Sequence, residues 1–296
     1  MQDDLIELNK QATGAALGHM GKVAWPTLAL TLIVCSLFVP CLVLFAKGYM
    51  SVWLATLITG VLTYMSYTTL HEAVHGNISG SKPSLRWLNA LCGYAVAPII
   101  GIAYASHKYE HFTHHRYTNV EDKDPDFGIS QMKRGPITSV ITIFRFFFSQ
   151  NLFFVKNNWK SAKLKDRILY CTEVCVSLGW RGLAIVFIDR PGISVVIILG
   201  YFIGAWCVGY WFAYRPHFPY DNTERYQNTS SLIMPFWMRP FEWFWFGQNI
   251  HSIHHLFPRV PFYRYHALHR EIEPILRAHG TPILGIFSRK PIEEAV

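Results

Sequence analysis

Three short histidine-rich segments hold the residues in this sequence best suited to chemistry. They read H-E-A-V-H, H-F-T-H-H and H-S-I-H-H. Together they contain eight of the fourteen histidines, namely His71, His75, His111, His114, His115, His251, His254 and His255. Spacings of three and four residues place side chains on one face of a helix. Because imidazole binds zinc, copper, iron and nickel, the pattern predicts a metal centre built on helices.

The number of histidines separates the possible metals. A catalytic zinc uses three protein ligands and keeps one position open. Eight or nine histidines exceed that need and suit two ions, which favours two irons with O2 as co-substrate. An intramembrane zinc peptidase built on H-E-x-x-H is an alternative, but it leaves the second and third segments unexplained. A metal transporter is a further alternative, although its ligands would be expected within membrane spans rather than at their ends.

Long apolar segments indicate a membrane protein. Only 16% of the residues are charged and the mean hydropathy is +0.18, whereas soluble domains usually carry about 25% charged residues. A spanning helix needs about 20 apolar residues. Four segments meet this requirement and short links join them into two hairpins: residues 23–46, 49–70, 168–188 and 193–214. Glu173 and Arg181 lie within the third segment and are expected to face the protein interior.

Two further apolar segments are ambiguous. Residues 87–106 are long enough to cross, but a crossing would put the first two histidine segments on opposite sides of the membrane. We therefore predict a re-entrant or interfacial course for them. Residues 137–155 are rich in phenylalanine and interrupted by Arg145, which predicts an amphipathic helix on the membrane surface.

The charges predict the orientation. All but three of the 27 Lys and Arg residues lie on the N-terminal arm, on residues 75–167 or on the C-terminal arm. Four spans place these regions on one side, which the positive-inside rule makes the cytoplasm. We therefore expect an all-α integral membrane protein with one domain over residues 1–296. Its four transmembrane helices form two hairpins, and a cytoplasmic helical cap carries the histidines together with both termini. The net charge of +8 then needs no nucleic-acid partner.

With these residues in place, the chain resembles the membrane fatty-acid desaturase superfamily from about residue 50 to about residue 270. H-E-A-V-H-G corresponds to the first histidine box, H-F-T-H-H-R-Y-T-N followed by D-K-D-P-D to the second, and G-Q-N-I-H-S-I-H-H-L-F-P to the third. The third box, R-P-H and P-F-Y-R-Y look most like cyanobacterial-type β-carotene hydroxylases. Three residues separate the first-box histidines, a spacing also found among hydroxylases and ketolases, whereas many desaturases have four.

The resemblance implies a function. Two iron ions would serve an O2-dependent oxidoreductase that acts on a long hydrophobic lipid. Hydroxylation of a carotenoid such as β-carotene is the first expectation, and fatty-acyl desaturation is the alternative. The sequence contains no H-P-G-G string, no cysteine ligand pattern and no glycine-rich dinucleotide fingerprint. A separate electron donor, a ferredoxin or a cytochrome, is therefore implied.

The resemblance also suggests further site residues. His217 occupies the place of a ninth ligand shortly after the fourth span. Asn249 is expected to contact a metal directly or through water, or else to cap a helix. His107 is expected to contact the metal-binding histidines without binding a metal itself. Asp124 and Asp126 are expected to accept hydrogen bonds from the second-box histidines, which metal-bound histidines usually make, or else to lie in a solvated turn.

Overall fold

The computed structural model describes residues 2–288 and residue 292, and most of them are helical. The helices are α1 (Gln2–Gly18), α2 (Trp25–Ala46), α3 (Val52–His75), α4 (Trp87–Ile100), α5 (Tyr104–Tyr117), α6 (Pro136–Phe153), α7 (Leu164–Phe187), α8 (Gly200–Val208), α9 (Arg215–His217), α10 (His251–Leu256) and α11 (Tyr265–Ala278). Short 3-10 helices cover Pro83–Leu85, Phe127–Arg134, Phe236–Trp245 and Phe262–Arg264, and π-helical turns cover Phe154–Asn158, Val195–Leu199 and Gly209–Tyr214.

The prediction of an all-α fold needs one correction. Two three-residue strands, β1 (Ser231–Ile233) and β2 (Ile283–Gly285), pair in parallel. The backbone N–H of Leu232 also donates to the carbonyl of Asn249, next to the third box. The sequence did not reveal the strands because three residues are too few to show a period of two. The sheet ties the C-terminal end of the described chain to the segment that leads into the third box.

Four helical stretches are long and apolar enough to cross a membrane: Trp25–Ala46, Pro136–Asn158, Leu164–Phe187 and Val195–His217. Three of them coincide with predicted spans. The fourth covers residues 137–155, which we expected on the membrane surface. The structure extends this helix through a π-helical turn to 23 residues, so its length and composition do not support a surface position.

Helix α3 covers the remaining predicted span but is not one of these four stretches. Its N-cap is Ser51, whose hydroxyl accepts a hydrogen bond from the N–H of Leu54. It then runs through the first histidine box and ends at Gly76, which has a φ of 72°. Much of its polar content is buried, including Thr59, whose hydroxyl donates to the carbonyl of Val196. Helix α3 is therefore the central helix of the bundle, packed against α2, α4 and α8.

The chain turns by 95° between α4 and α5, in the segment expected to be re-entrant. Gly101 permits the turn, with a φ of 74°. The carboxylate of Glu173 accepts hydrogen bonds from two backbone N–H groups at the start of α5, at 2.6 and 3.0 Å. The guanidinium of Arg181 donates to the last carbonyls of α4, at 2.8 Å. Both charged residues thus face the interior, as predicted, and they satisfy the helix ends that the turn leaves open.

The first and last helices pack together. Ala12 and Ala16 of α1 lie in one apolar cluster with Leu268 and Ile272 of α11. Tyr226 donates to the side chain of Asn9 at 2.8 Å. The N-terminal and C-terminal arms of the described chain therefore pack against each other.

The 3-10 helix Phe236–Trp245 exposes aromatic side chains. Four of them are more than half exposed, namely Phe236, Trp237, Phe241 and Trp243. Aromatic residues are enriched where membrane and water meet. This segment has the composition of a membrane-interface element.

Candidate metal centre

Helices α3, α5 and α10 each end or begin within a histidine box, and they meet at one place. Each of His71, His75, His111 and His254 offers a ring nitrogen within 4.8 Å of those of the other three. The Nε2 atoms of His71 and His254 are 3.0 Å apart, and those of His75 and His111 are 2.9 Å apart. All three boxes therefore contribute to a single group of nitrogen donors.

A second group lies beside the first. His114, His217 and His255 bring ring nitrogens within 4.8 Å of one another, and so do His115, His254 and His255. The rings of His251 and His255 have centroids 4.8 Å apart. The structure thus brings together all eight box histidines and His217, the ninth ligand that the resemblance suggests. Because the groups overlap but have different centres, they offer room for two ions.

The donor set fits a metal. The Nε2 atoms of His217 and His255 are buried and have no hydrogen-bond partner among the described residues. A buried polar atom without a partner is costly, and a metal ion would satisfy both. The side chains around them are also shielded, since His254 is 0% exposed.

Burial keeps the third-box imidazoles neutral. It lowers the pKa of His251 to about 3, with further lowering by the nearby His114 and His75. Burial and neighbouring imidazoles also lower the pKa of His254 and of His255 well below the usual range. Metal binding requires the neutral ring, so these histidines are in the form that a metal needs.

Two carboxylates anchor the second box. The Nδ1–H of His114 donates to Asp124 at 2.8 Å, and Asp126 lies 3.7 Å from the same nitrogen. Burial alone would lower the pKa of His114, but the two carboxylates outweigh it and raise this pKa to about 9. Asp124 also accepts from the backbone N–H of Asn119 at 2.7 Å. Both aspartates are therefore buried beside His114 rather than in a solvated turn, and their support of a metal ligand stays a prediction.

Other anchors were missed by sequence reasoning. His217 Nδ1 lies 3.3 Å from the amide oxygen of Asn119, whose NH2 group donates to two backbone carbonyls and so fixes the orientation of the amide. His254 Nδ1 lies 3.0 Å from the hydroxyl of Tyr265. No local pattern points to these contacts. Only Asn119 gave a signal, because it is the last residue of the second-box string H-F-T-H-H-R-Y-T-N.

His107 lies beside the histidine group, and its supporting role stays a prediction. The centroid of its ring lies 5.1 Å from that of His111, and its Nδ1 lies 3.0 Å from Glu110 and 3.1 Å from Gln150. Asn249 is not a helix cap, because its amide donates to the carbonyl of Leu232 and to Glu242. Its Oδ1 is buried and has no partner among the described residues, so a contact through water to the centre stays a prediction.

The fold and the site define a helical membrane protein with a polyhistidine centre at the ends of its long helices. Comparison with known proteins adds the family. The fatty acid desaturase family matches residues 47–287. A sphingolipid delta(4)-desaturase DES1-like protein of Arabidopsis thaliana is 23% identical over 259 residues, which is 83% of this chain and 71% of the relative. The chain therefore belongs to the fatty acid desaturase family, whose members are oxidoreductases that typically use a di-iron centre.

Proposed function

We propose that this chain is a membrane-bound di-iron desaturase that introduces a double bond into the hydrocarbon chain of a lipid. The observation that carries the proposal is the convergence of three histidine boxes and His217 on one buried centre. Two irons held there would supply the activation of O2 that removal of hydrogen from an unactivated C–H bond requires. The described residues would hold the metals, orient the ligands and exclude water.

The groups of nitrogens suggest which residues would hold which metal. One position would use His71, His75, His111 and His254, and the other would use His114, His217 and His255. His115 and His251 lie beside both positions and complete the nine ligands. Asp124, Asp126, Asn119 and Tyr265 would fix the rings through the nitrogen that faces away from the metals.

An apolar cleft offers a path for a lipid. It has a volume of about 620 Å³ and opens between α2 and the aromatic segment Phe236–Trp245. Leu30, Trp243 and Phe246 are among the residues that line it. Glu242, one of the polar residues in its lining, accepts a hydrogen bond from Asn249, two residues before His251. A hydrocarbon chain that entered from the bilayer could therefore reach the neighbourhood of the histidines without crossing water.

The comparisons support the substrate class that we propose. The family and the relative are both named for desaturation, and the relative for sphingolipids. Carotenoid hydroxylation, which the third-box strings favoured, gains no support from either. Desaturation of the hydrocarbon chain of an acyl lipid or a sphingolipid is therefore the function that we propose.

Lipid analysis tests this proposal. The chain is expressed with a ferredoxin system in cells that make β-carotene, acyl lipids and sphingolipids. The molecular masses of the extracted lipids are then measured by mass spectrometry. We expect acyl or sphingoid chains lighter by two hydrogen atoms, a change lost in His254→Ala and retained in His19→Ala, which alters a histidine outside the centre. A carotenoid heavier by oxygen, with other lipids unchanged, would instead establish hydroxylation.

A further inference from the structure

A large basic cavity lies on the outer side of the histidine centre. It has a volume of about 1300 Å³ and is bounded by the end of α3, by α4, α5 and α7, and by the loop after α10. Six cationic side chains line it, namely Arg86, Lys108, Arg116, Lys163, Lys165 and Arg259. All six are exposed, and Asp166 is the one acidic residue in the lining. We call this surface the basic cavity.

The charges of the basic cavity are not neutralised by the described part of the chain. None of the six cations has a carboxylate of a described residue within 4.0 Å. Such a concentration of one sign of charge in a concave surface focuses the electrostatic potential and accelerates the approach of an oppositely charged partner. The cavity is therefore suited to a partner that carries many negative charges.

The basic cavity also reaches the histidine centre. His75 belongs to its lining. The ring of Phe112 meets that of His75 edge-on, with centroids 5.7 Å apart, and Phe112 is 46% exposed. On α5 the ligand His111 faces inward, while Lys108 and Phe112 face the cavity. A partner docked in the cavity would therefore lie next to a histidine of the centre.

The proposed reaction needs such a partner. Converting a –CH2–CH2– unit to –CH=CH– releases two electrons and two protons, whereas reducing O2 to two molecules of water consumes four of each. Two electrons and two protons must come from outside this sequence, which contains no H-P-G-G string, no cysteine ligand pattern and no glycine-rich dinucleotide fingerprint.

We infer that the basic cavity is the docking surface for an acidic one-electron carrier protein, which delivers two electrons in successive encounters past Phe112 and His75. The need for an electron carrier rests on the proposed function, whereas the charge and position of the basic cavity do not depend on it. Charge complementarity favours a protein over a lipid headgroup. The cations come from four separate parts of the chain around the whole cavity, and a single lipid phosphate would engage only part of them.

Binding of the carrier can be measured without turnover. The full chain in nanodiscs of neutral phosphatidylcholine is titrated with two acidic carriers, a [2Fe–2S] ferredoxin and the soluble domain of cytochrome b5, at low and high salt. We expect the double variant K163E/K165E to bind at least one carrier about tenfold more weakly than the unmodified chain at low salt. The difference should shrink at high salt.

A matched variant controls for net charge. K156E/K160E makes the same change in charge at exposed lysines that do not line the basic cavity. Equal weakening by both variants, or by neither, would overturn the inference. Thermal unfolding in the nanodisc verifies that each variant is folded.

Turnover kinetics distinguish a docking surface for the carrier from a binding site for a lipid headgroup. In the desaturation assay, K163E/K165E should raise the KM for the carrier and leave the KM for the lipid unchanged. A raised KM for the lipid alone would make the cavity a headgroup site and overturn the inference. Charge-dependent binding of the carrier without desaturation of any lipid would instead contradict the proposed function while leaving the docking surface in place.

Discussion

At the residue scale, the ring nitrogen that faces away from the proposed metal positions determines how firmly each histidine is held. His114 has a carboxylate at 2.8 Å, His254 has the Tyr265 hydroxyl at 3.0 Å, and His251 Nδ1 lies 3.2 Å from Gln248. Such partners fix the tautomer and orientation of a metal-bound histidine, and removing one typically lowers metal affinity or activity about 10–100-fold.

Asp124 provides a test of this effect. We expect Asp124→Asn to weaken iron binding about 10–100-fold, because a neutral amide stabilises the His114 ring less than a carboxylate does. The measurement is an iron titration of the purified chain. Asp122→Asn changes an exposed aspartate two residues earlier and should leave iron affinity unaltered. Equal affinities for Asp124→Asn and the unmodified chain would show that the carboxylate does not support the centre.

The sequence predicted the clustered histidines better than the side chains around them. The box histidines follow helical spacing, and Asp124 and Asp126 lie ten and twelve residues after His114 in one string, so local pattern and resemblance were enough to propose them as site residues. Tyr265 and Gln150 reach the centre from other helices. No local pattern encodes such contacts, because they depend on how the helices pack.

At the scale of elements, glycines set how closely the central helices approach. A Cβ atom on Gly204 would lie 2.6 Å from the carbonyl oxygen of Gly60 and 2.6 Å from the Cβ of Thr63. With Gly200, Gly204 forms a G-x-x-x-G pattern, a spacing that lets membrane helices pack closely. The position of α3, and hence of the first box, depends on this contact.

Enlarging Gly204 should therefore separate α3 from α8. We expect Gly204→Ala to destabilise the protein by about 1–3 kcal/mol, seen as a lower midpoint of thermal unfolding in detergent. Gly182→Ala is the matched control, since nothing lies within 4 Å of a Cβ at that position of α7. A Gly204→Ala variant as stable as Gly182→Ala would contradict the close packing.

Hydropathy predicted some helices more accurately than others. It placed α2 and α7 to within a few residues, because their sequences are apolar over the needed length. It missed that α3 carries buried threonines against other helices, and it placed residues 137–155 on the surface because of one arginine and many aromatic residues. Packing partners, which composition does not report, explain the first case, and the π-helical turn that lengthens the helix to 23 residues explains the second.

At the scale of the whole molecule, the packing of α1 against α11 bears on topology. His19 is the residue after α1, and its Nε2 lies 2.8 Å from the carboxylate of Glu271 in α11. Their contact requires the two arms to be on one side of the membrane. The basic charge outside the spans favours the cytoplasm for that side.

Reporter fusions test this orientation. We expect a green fluorescent protein fused to either terminus to fluoresce in bacterial cells, and alkaline phosphatase fused to either terminus to be inactive, because the first requires the cytoplasm and the second the periplasm. An active phosphatase at one terminus alone would mean an odd number of spans. Activity at both would place the histidine cap outside.

The most direct test of the central claim is the metal content of the purified chain, measured by mass spectrometry of the elements. Nine histidines around two proposed metal positions, in a family that typically uses a di-iron centre, predict about two irons per chain. One zinc and no iron would contradict the di-iron account and revive the zinc peptidase built on H-E-A-V-H.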